Sequence, residues 1–106
     1  DEIDSPAVGI TFDVGHAWGS GGIDAGIKIF GGRIKHVQVH DCRGPEGARN
    51  VRDQHMEIGT GVLKWDAIGE LVAAKGFVVA LETSGFRDDR EEVCVRSLGV
   101  LRDLWG

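Results

Sequence analysis

The chain has 106 residues, 42% of them hydrophobic, which suits a single packed domain over 1–106 and excludes wholesale disorder. Lys and Arg number 12 against 17 Asp and Glu, a net charge of −5, so binding DNA or RNA by neutralising phosphates is disfavoured and no nucleic-acid partner is expected. No apolar run approaches the ~18 residues that span a bilayer, and Asp1-Glu2-Ile3-Asp4 lacks the basic start of a signal peptide, so the expectation is a cytoplasmic protein with no membrane partner.

Strand and helix signals alternate, as in parallel α/β construction. Val8 to Val14 reads as a strand, followed by a Gly-rich loop through Gly19, Gly21 and Gly22. Ile23, Ile27 and Phe30 recur at helical spacing, with Gly31-Gly32 as the stop. Ile34 to Asp41 reads as a second strand, and Cys42 to Gly61 as a long polar loop, of the length that is usually functional or disordered. Trp65, Ile68, Leu71 and Val72 mark a second helix ending at Gly76, and Phe77 to Thr83 a third strand. Asp88 with Glu91 resembles a capping box, ahead of an apolar stripe of Cys94, Leu98, Leu101 and Trp105 on a closing helix. Cys42 and Cys94 form no CxxC and read as reduced thiols. The first residue is not Met, which points to a processed or truncated piece.

Side chains alternate across a strand, so each strand divides into two faces. Val37 and Val39 share one face of the second strand, and His36, Gln38 and His40 the other. Phe77, Val79 and Leu81 oppose Val78, Ala80 and Glu82 on the third, and Ile10 and Phe12 oppose Thr11 and Asp13 on the first. The polar faces bring Asp13, Gln38 or His40, and Glu82 toward the carboxyl ends of neighbouring strands, where α/β sheets and barrels build ligand sites. Charges there are costly unless paired or bound to metal. Carboxylate, amide and imidazole donors together suit Mn²⁺, Mg²⁺, Co²⁺ or Zn²⁺. Taken singly, each residue also has an ordinary reading: Asp13 as a cap, Glu82 paired with Arg87, the histidines solvated at strand ends. Asp13-Val14-Gly15-His16 and Asp53-Gln54-His55 each add an imidazole close to a carboxylate. Ile58-Gly59-Thr60-Gly61 reads as a phosphate or sugar cradle or as the turn that opens the Trp65 helix. Arg43, Arg49 and Arg52 in the long loop could hold a sugar phosphate or a carboxylate.

In order and spacing, Phe12-Asp13-Val14-Gly15-His16-Ala17, His36-Val37-Gln38-Val39-His40-Asp41, Asp53-Gln54-His55, Ile58-Gly59-Thr60-Gly61 and Leu81-Glu82-Thr83 resemble the C-terminal part of the xylose isomerase-like TIM barrels. That superfamily holds sugar isomerases and epimerases, hydroxypyruvate isomerase, inosose dehydratase and the endonuclease IV group. The resemblance implies a partial (β/α)8 barrel whose three βα units are similar to strands six to eight. It implies Asp13, Gln38 and Glu82 as metal ligands, Gln38 standing where many members have histidine and the hydroxypyruvate isomerase-like branch has Gln. Glu82 is implied as one of two acid/base groups moving a proton beside a carbonyl. His16, His40, Asp53 and His55 are expected at the substrate or at a second metal. The implied activity is isomerisation or epimerisation of a small sugar, sugar phosphate or hydroxy-keto acid. The alternatives are an endonuclease IV-like zinc phosphodiesterase and a half-barrel without turnover. A full barrel has eight units and about 250 residues, and the family's other acid/base glutamate lies on the fifth strand, outside this chain. The expectation is therefore a homo-oligomer or a partner chain that completes the barrel.

Overall fold

A computed structural model describes residues 5–72, 75–83 and 89–106. Asp88 of the expected capping box, and Arg87 as a possible partner of Glu82, lie outside the described residues. Strand β1 (Ile10–Asp13) leads into α1 (Val14–Gly19) and α2 (Ile23–Phe30), then β2 (Ile34–Val39), α3 (Trp65–Val72), β3 (Val78–Leu81) and α4 (Arg90–Trp105). The strands form one parallel sheet in the order β1-β2-β3. Parallel neighbours need a crossover; α1 and α2 provide the first, the long loop and α3 the second.

Burial follows the two-face division. Val37 and Val39 are fully buried, Phe12 nearly so, and the core continues through Ile34, Ile58, Leu63, Trp65, Ile68, Val72 and Leu101, the helix-covered side of the sheet. On the opposite face, register sets Thr11 beside His36 and Val78, and one step higher Asp13 beside Gln38 and Ala80. His40 and Glu82 follow two residues further along their strands. At the lower level Val78 remains 66% exposed, because the three strands cover only part of a barrel's circumference. Among the described residues no helix is long and apolar enough to cross a membrane.

Three local readings change. The segment after β1 is a short helix rather than a loop: Asp13 is the N-cap of α1, its Oδ1 accepting from the His16 amide at 2.9 Å. Two poor helix formers, Gly15 and Gly19, hide it in the sequence. Strand β2 stops at Val39, and Asp41 pairs antiparallel with Met56 instead. In α4 the buried line passes through Ser97 and Leu101, while Leu98 is 49% exposed. The reason is that α4 packs on α3 and on the loop around Ile58, which turns its Leu98 flank outward.

Candidate metal centre

At the carboxyl end of the sheet, Asp13 and three histidines come together from three segments. Asp13 ends β1, and capping α1 brings His16 round so that its Nδ1 lies 3.1 Å from Asp13 Oδ2. His40 follows β2, fully buried, with Nε2 3.1 Å from Asp13 Oδ1. Gly15 makes this approach possible: any Cβ there would overlap the His40 ring. His55 comes from the long loop and stacks on His40 with ring centroids 4.2 Å apart. One ligand atom each from Asp13, His16 and His40 lie within 4.8 Å of one another.

Gln38 and Glu82 stand beside this trio. Gln38 Nε2 donates to Glu82 Oε1 at 3.2 Å, and Glu82 Oε2 lies 3.9 Å from His55 Nδ1. Asp53, at the rim, lies 2.7 Å from His55 Nε2 and 3.7 Å from His16 Nε2 through its Oδ1. All seven residues singled out in the sequence therefore belong to one connected network, with His16 and His40 closest about Asp13.

Every ring nitrogen of the three histidines faces an oxygen. His40 Nδ1 faces the Asp41 carbonyl at 3.3 Å and Nε2 faces Asp13. His55 Nδ1 faces the Glu82 carbonyl at 2.7 Å and Nε2 faces Asp53. Both nitrogens of His16 face carboxylates as well. A neutral imidazole carries one N–H, so each ring leaves a lone pair against an oxygen unless it takes a second proton or a cation stands between. A metal-bound histidine commonly donates its other N–H to a carbonyl, the position Asp41 and Glu82 occupy for His40 and His55. By its donors, the set fits a divalent cation.

The protonation energetics follow the same contacts. Burial pushes the Asp13 carboxyl up, but the bonds from His40 and the His16 amide outweigh it and hold its pKa at about 2. For His55, burial works against the charged ring, yet the Glu82 carbonyl and Asp53 raise its pKa overall. Asp53 is lowered, first by its hydrogen bond to His55. Cys42, buried near Asp41 and Asp13, rises to about 11 and is held as the thiol.

One residue that shapes the centre was not singled out in the sequence. Asp41 is fully buried, and its carboxylate accepts from the amides of Cys42, Gly59, Gly61 and Leu63 and from Trp65 Nε1, at 2.9 to 3.2 Å. It occupies the Gly59–Gly61 turn, so that turn opens α3 around an internal carboxylate rather than around a phosphate. The only hint was an acid at a strand end followed by a Gly-Thr-Gly turn. Of the loop arginines, Arg43 lies beside the centre, in a cleft of about 270 Å³ with Gln54, His55 and Asp89. Arg52 instead donates Nε to the Arg49 carbonyl.

Residues 1–104 match the family model described as xylose isomerase-like TIM barrel, and the chain belongs to this family. An uncharacterized protein of Methanocaldococcus jannaschii, MJ1311, is 31% identical over 96% of this chain and 33% of its own length. A Mycobacterium bovis protein described as "Probable endonuclease 4" is 33% identical over 84% of this chain and 37% of its own length. A crystal structure of a D-tagatose 3-epimerase-like protein is similar to 96% of this chain and 39% of its own, with a TM-score of 0.64 and 29% identity. The chain thus spans between a third and two fifths of the proteins it matches, as three strands of an eight-stranded barrel would.

Proposed function

We propose that this chain supplies the divalent-cation centre and one proton-transferring carboxylate of an isomerase or epimerase acting on a small sugar, sugar phosphate or hydroxy-keto acid. The observation that carries the reading is the convergence of one ligand atom each from Asp13, His16 and His40 within 4.8 Å of one another, a carboxylate and two imidazoles that suit a divalent cation. Asp13, His16 and His40 would hold the ion, with Gln38 and Glu82 beside them as further ligands. Two imidazoles favour Zn²⁺, Co²⁺ or Mn²⁺ over Mg²⁺. A cation so placed supplies Lewis-acid polarisation of a substrate carbonyl.

Glu82 is the proposed acid/base residue. Its side chain is 43% exposed, and Gln38 holds Oε1. It takes a proton from the carbon beside the carbonyl, the bonding pair moving toward the carbonyl oxygen, and returns the proton to the same or the adjacent carbon. Asp53 and His55 form the rim against which the substrate lies, or hold a second cation. Residues 1–106 are proposed as one unit equivalent to barrel strands six to eight, so the second acid/base group comes from other barrel strands or from a second chain.

A second reading, a zinc phosphodiesterase, is favoured by the His16–Asp53–His55 grouping and by the Mycobacterium relative. The net charge of −5 weighs against a phosphate-lined partner. Activity on a ketose with Mn²⁺, set against cleavage of abasic DNA with Zn²⁺, separates the two. Ketose isomerisation that falls by at least about 100-fold in Glu82→Gln is the expected result. DNA cleavage alone would replace the first reading by the second. Cation binding with neither activity would leave a half-barrel without turnover.

A further inference from the structure

Helix α4 lends no side chain to the centre, yet it grips the loop that carries His55. The Ile58 amide donates to Ser97 Oγ at 3.1 Å, and Ser97 is fully buried. One residue earlier, both carboxylate oxygens of Glu57 accept from Arg96, Nε at 2.5 Å and Nη2 at 3.1 Å. Met56, next to His55, exchanges two backbone hydrogen bonds with Asp41, each 2.9 Å. Three consecutive residues after His55 are therefore tied down by groups distant in sequence.

His55 needs this restraint. Its φ is 49°, in the left-handed region, where it is the one non-glycine residue among those described. Such a backbone persists only when its surroundings over-determine it. A serine on the buried line of α4, next to Leu101, contributes little apolar burial, and its hydroxyl is used on the Ile58 amide.

We infer that Ser97 is a positioning residue for His55, seconded by the Arg96–Glu57 pair. By fixing the loop at residues 57 and 58 they hold the His55 ring between Glu82 and Asp53 and against His40. The inference rests on the proposed role of His55 in the centre. Ser97 itself meets neither cation nor substrate. The Arg96–Glu57 pair is exposed, so its weight lies in direction rather than in stability.

Nuclear magnetic resonance of the imidazole nitrogens in the cation-free protein, followed by Co²⁺ titration, tests it. Ser97→Ala is expected to shift the His55 ring signals while those of His36, lower on the sheet, stay in place. Ser97→Thr, which keeps the hydroxyl, is expected to restore them, and Arg96→Gln to give a smaller shift in the same direction. Because His55 stacks on His40 and meets Glu82, Co²⁺ affinity is expected to fall about tenfold in Ser97→Ala, the lower end for groups that orient metal ligands from outside. A Ser97→Ala protein that melts earlier, yet keeps its His55 signals and Co²⁺ affinity, would overturn the inference. Should Ser97→Ala fail to fold, Arg96→Gln decides, and unmoved His55 signals there would overturn it. Wild-type protein that takes up no Co²⁺ defeats the metal reading alone, since the ring signals still report the positioning.

Discussion

Gly15 shows how narrowly the centre is built. The His40 ring occupies the space where any side chain at position 15 would lie, so Gly15→Ala is expected to displace the ring, destabilise the fold by about 1–3 kcal/mol and weaken cation uptake; chemical denaturation and calorimetric titration would read the two effects. Asp41→Ala strands five donors that now meet one buried carboxylate, and is expected to cost about 3–5 kcal/mol in the same unfolding experiment. Titration of the centre gives a stability profile with two flanks. Asp13, normally near 3.8 and held at about 2, contributes stability that is complete above about pH 4 and is lost as pH falls toward 2. His55, raised from 6.5 because the Glu82 carbonyl and the Asp53 and Glu82 carboxylates outweigh its burial, contributes stability that is present below pH 6.5 and lost as pH climbs through its folded value. Urea midpoints in cation-free buffer should therefore peak between about pH 4 and 6.5. A His55→Gln protein should keep the acid flank and lose the alkaline one; an unchanged alkaline flank would show that His55 does not carry it.

Among the elements, periodicity located the three strands and the three longer helices to within a few residues, because each has an apolar face at a clear period of two or near 3.6. Helix α1 was not legible. Its six residues contain Gly15, His16 and Gly19, and it forms because Asp13 caps it and Gly15 fits beneath His40. These are tertiary reasons that a local pattern does not carry. On α4 the expected stripe and the buried line share Leu101 but part at Leu98, which stands about 100° round the helix from Ser97, the residue that takes the buried position through its bond to Ile58. Alternation along strands places Asp13, Gln38, His40 and Glu82 on one face, whereas His16, Asp53 and His55 lie off the strands and are marked in the sequence only by short Asp-to-His spacings and by the family resemblance. Asp41 was not legible, because its partners are backbone amides that no sequence spacing announces. Removing the α1 cap with Asp13→Ala is expected to cost about 1 kcal/mol of capping energy in addition to its effect at the centre; circular dichroism and unfolding would show whether α1 survives.

For the whole molecule, the open flank is the dominant feature. On β3, Val78 is 66% exposed, and α4 turns out Val95 at 63%, Leu98 at 49% and Leu104 at 50%. A strand edge with apolar neighbours invites further pairing, so the 106-residue chain by itself is expected to self-associate. Sedimentation velocity should show species heavier than 11.4 kDa, reduced by Val95→Lys with Leu98→Lys; a monodisperse monomer would contradict this. The account as a whole turns on whether the assembled polar rim takes up a cation. Calorimetric titration of the wild type with Mn²⁺, Co²⁺ and Zn²⁺, repeated on Asp13→Asn and His40→Ala, addresses that directly. The predicted result is saturable uptake by the wild type that both variants lose; no uptake by the wild type, or equal uptake by all three proteins, would contradict it.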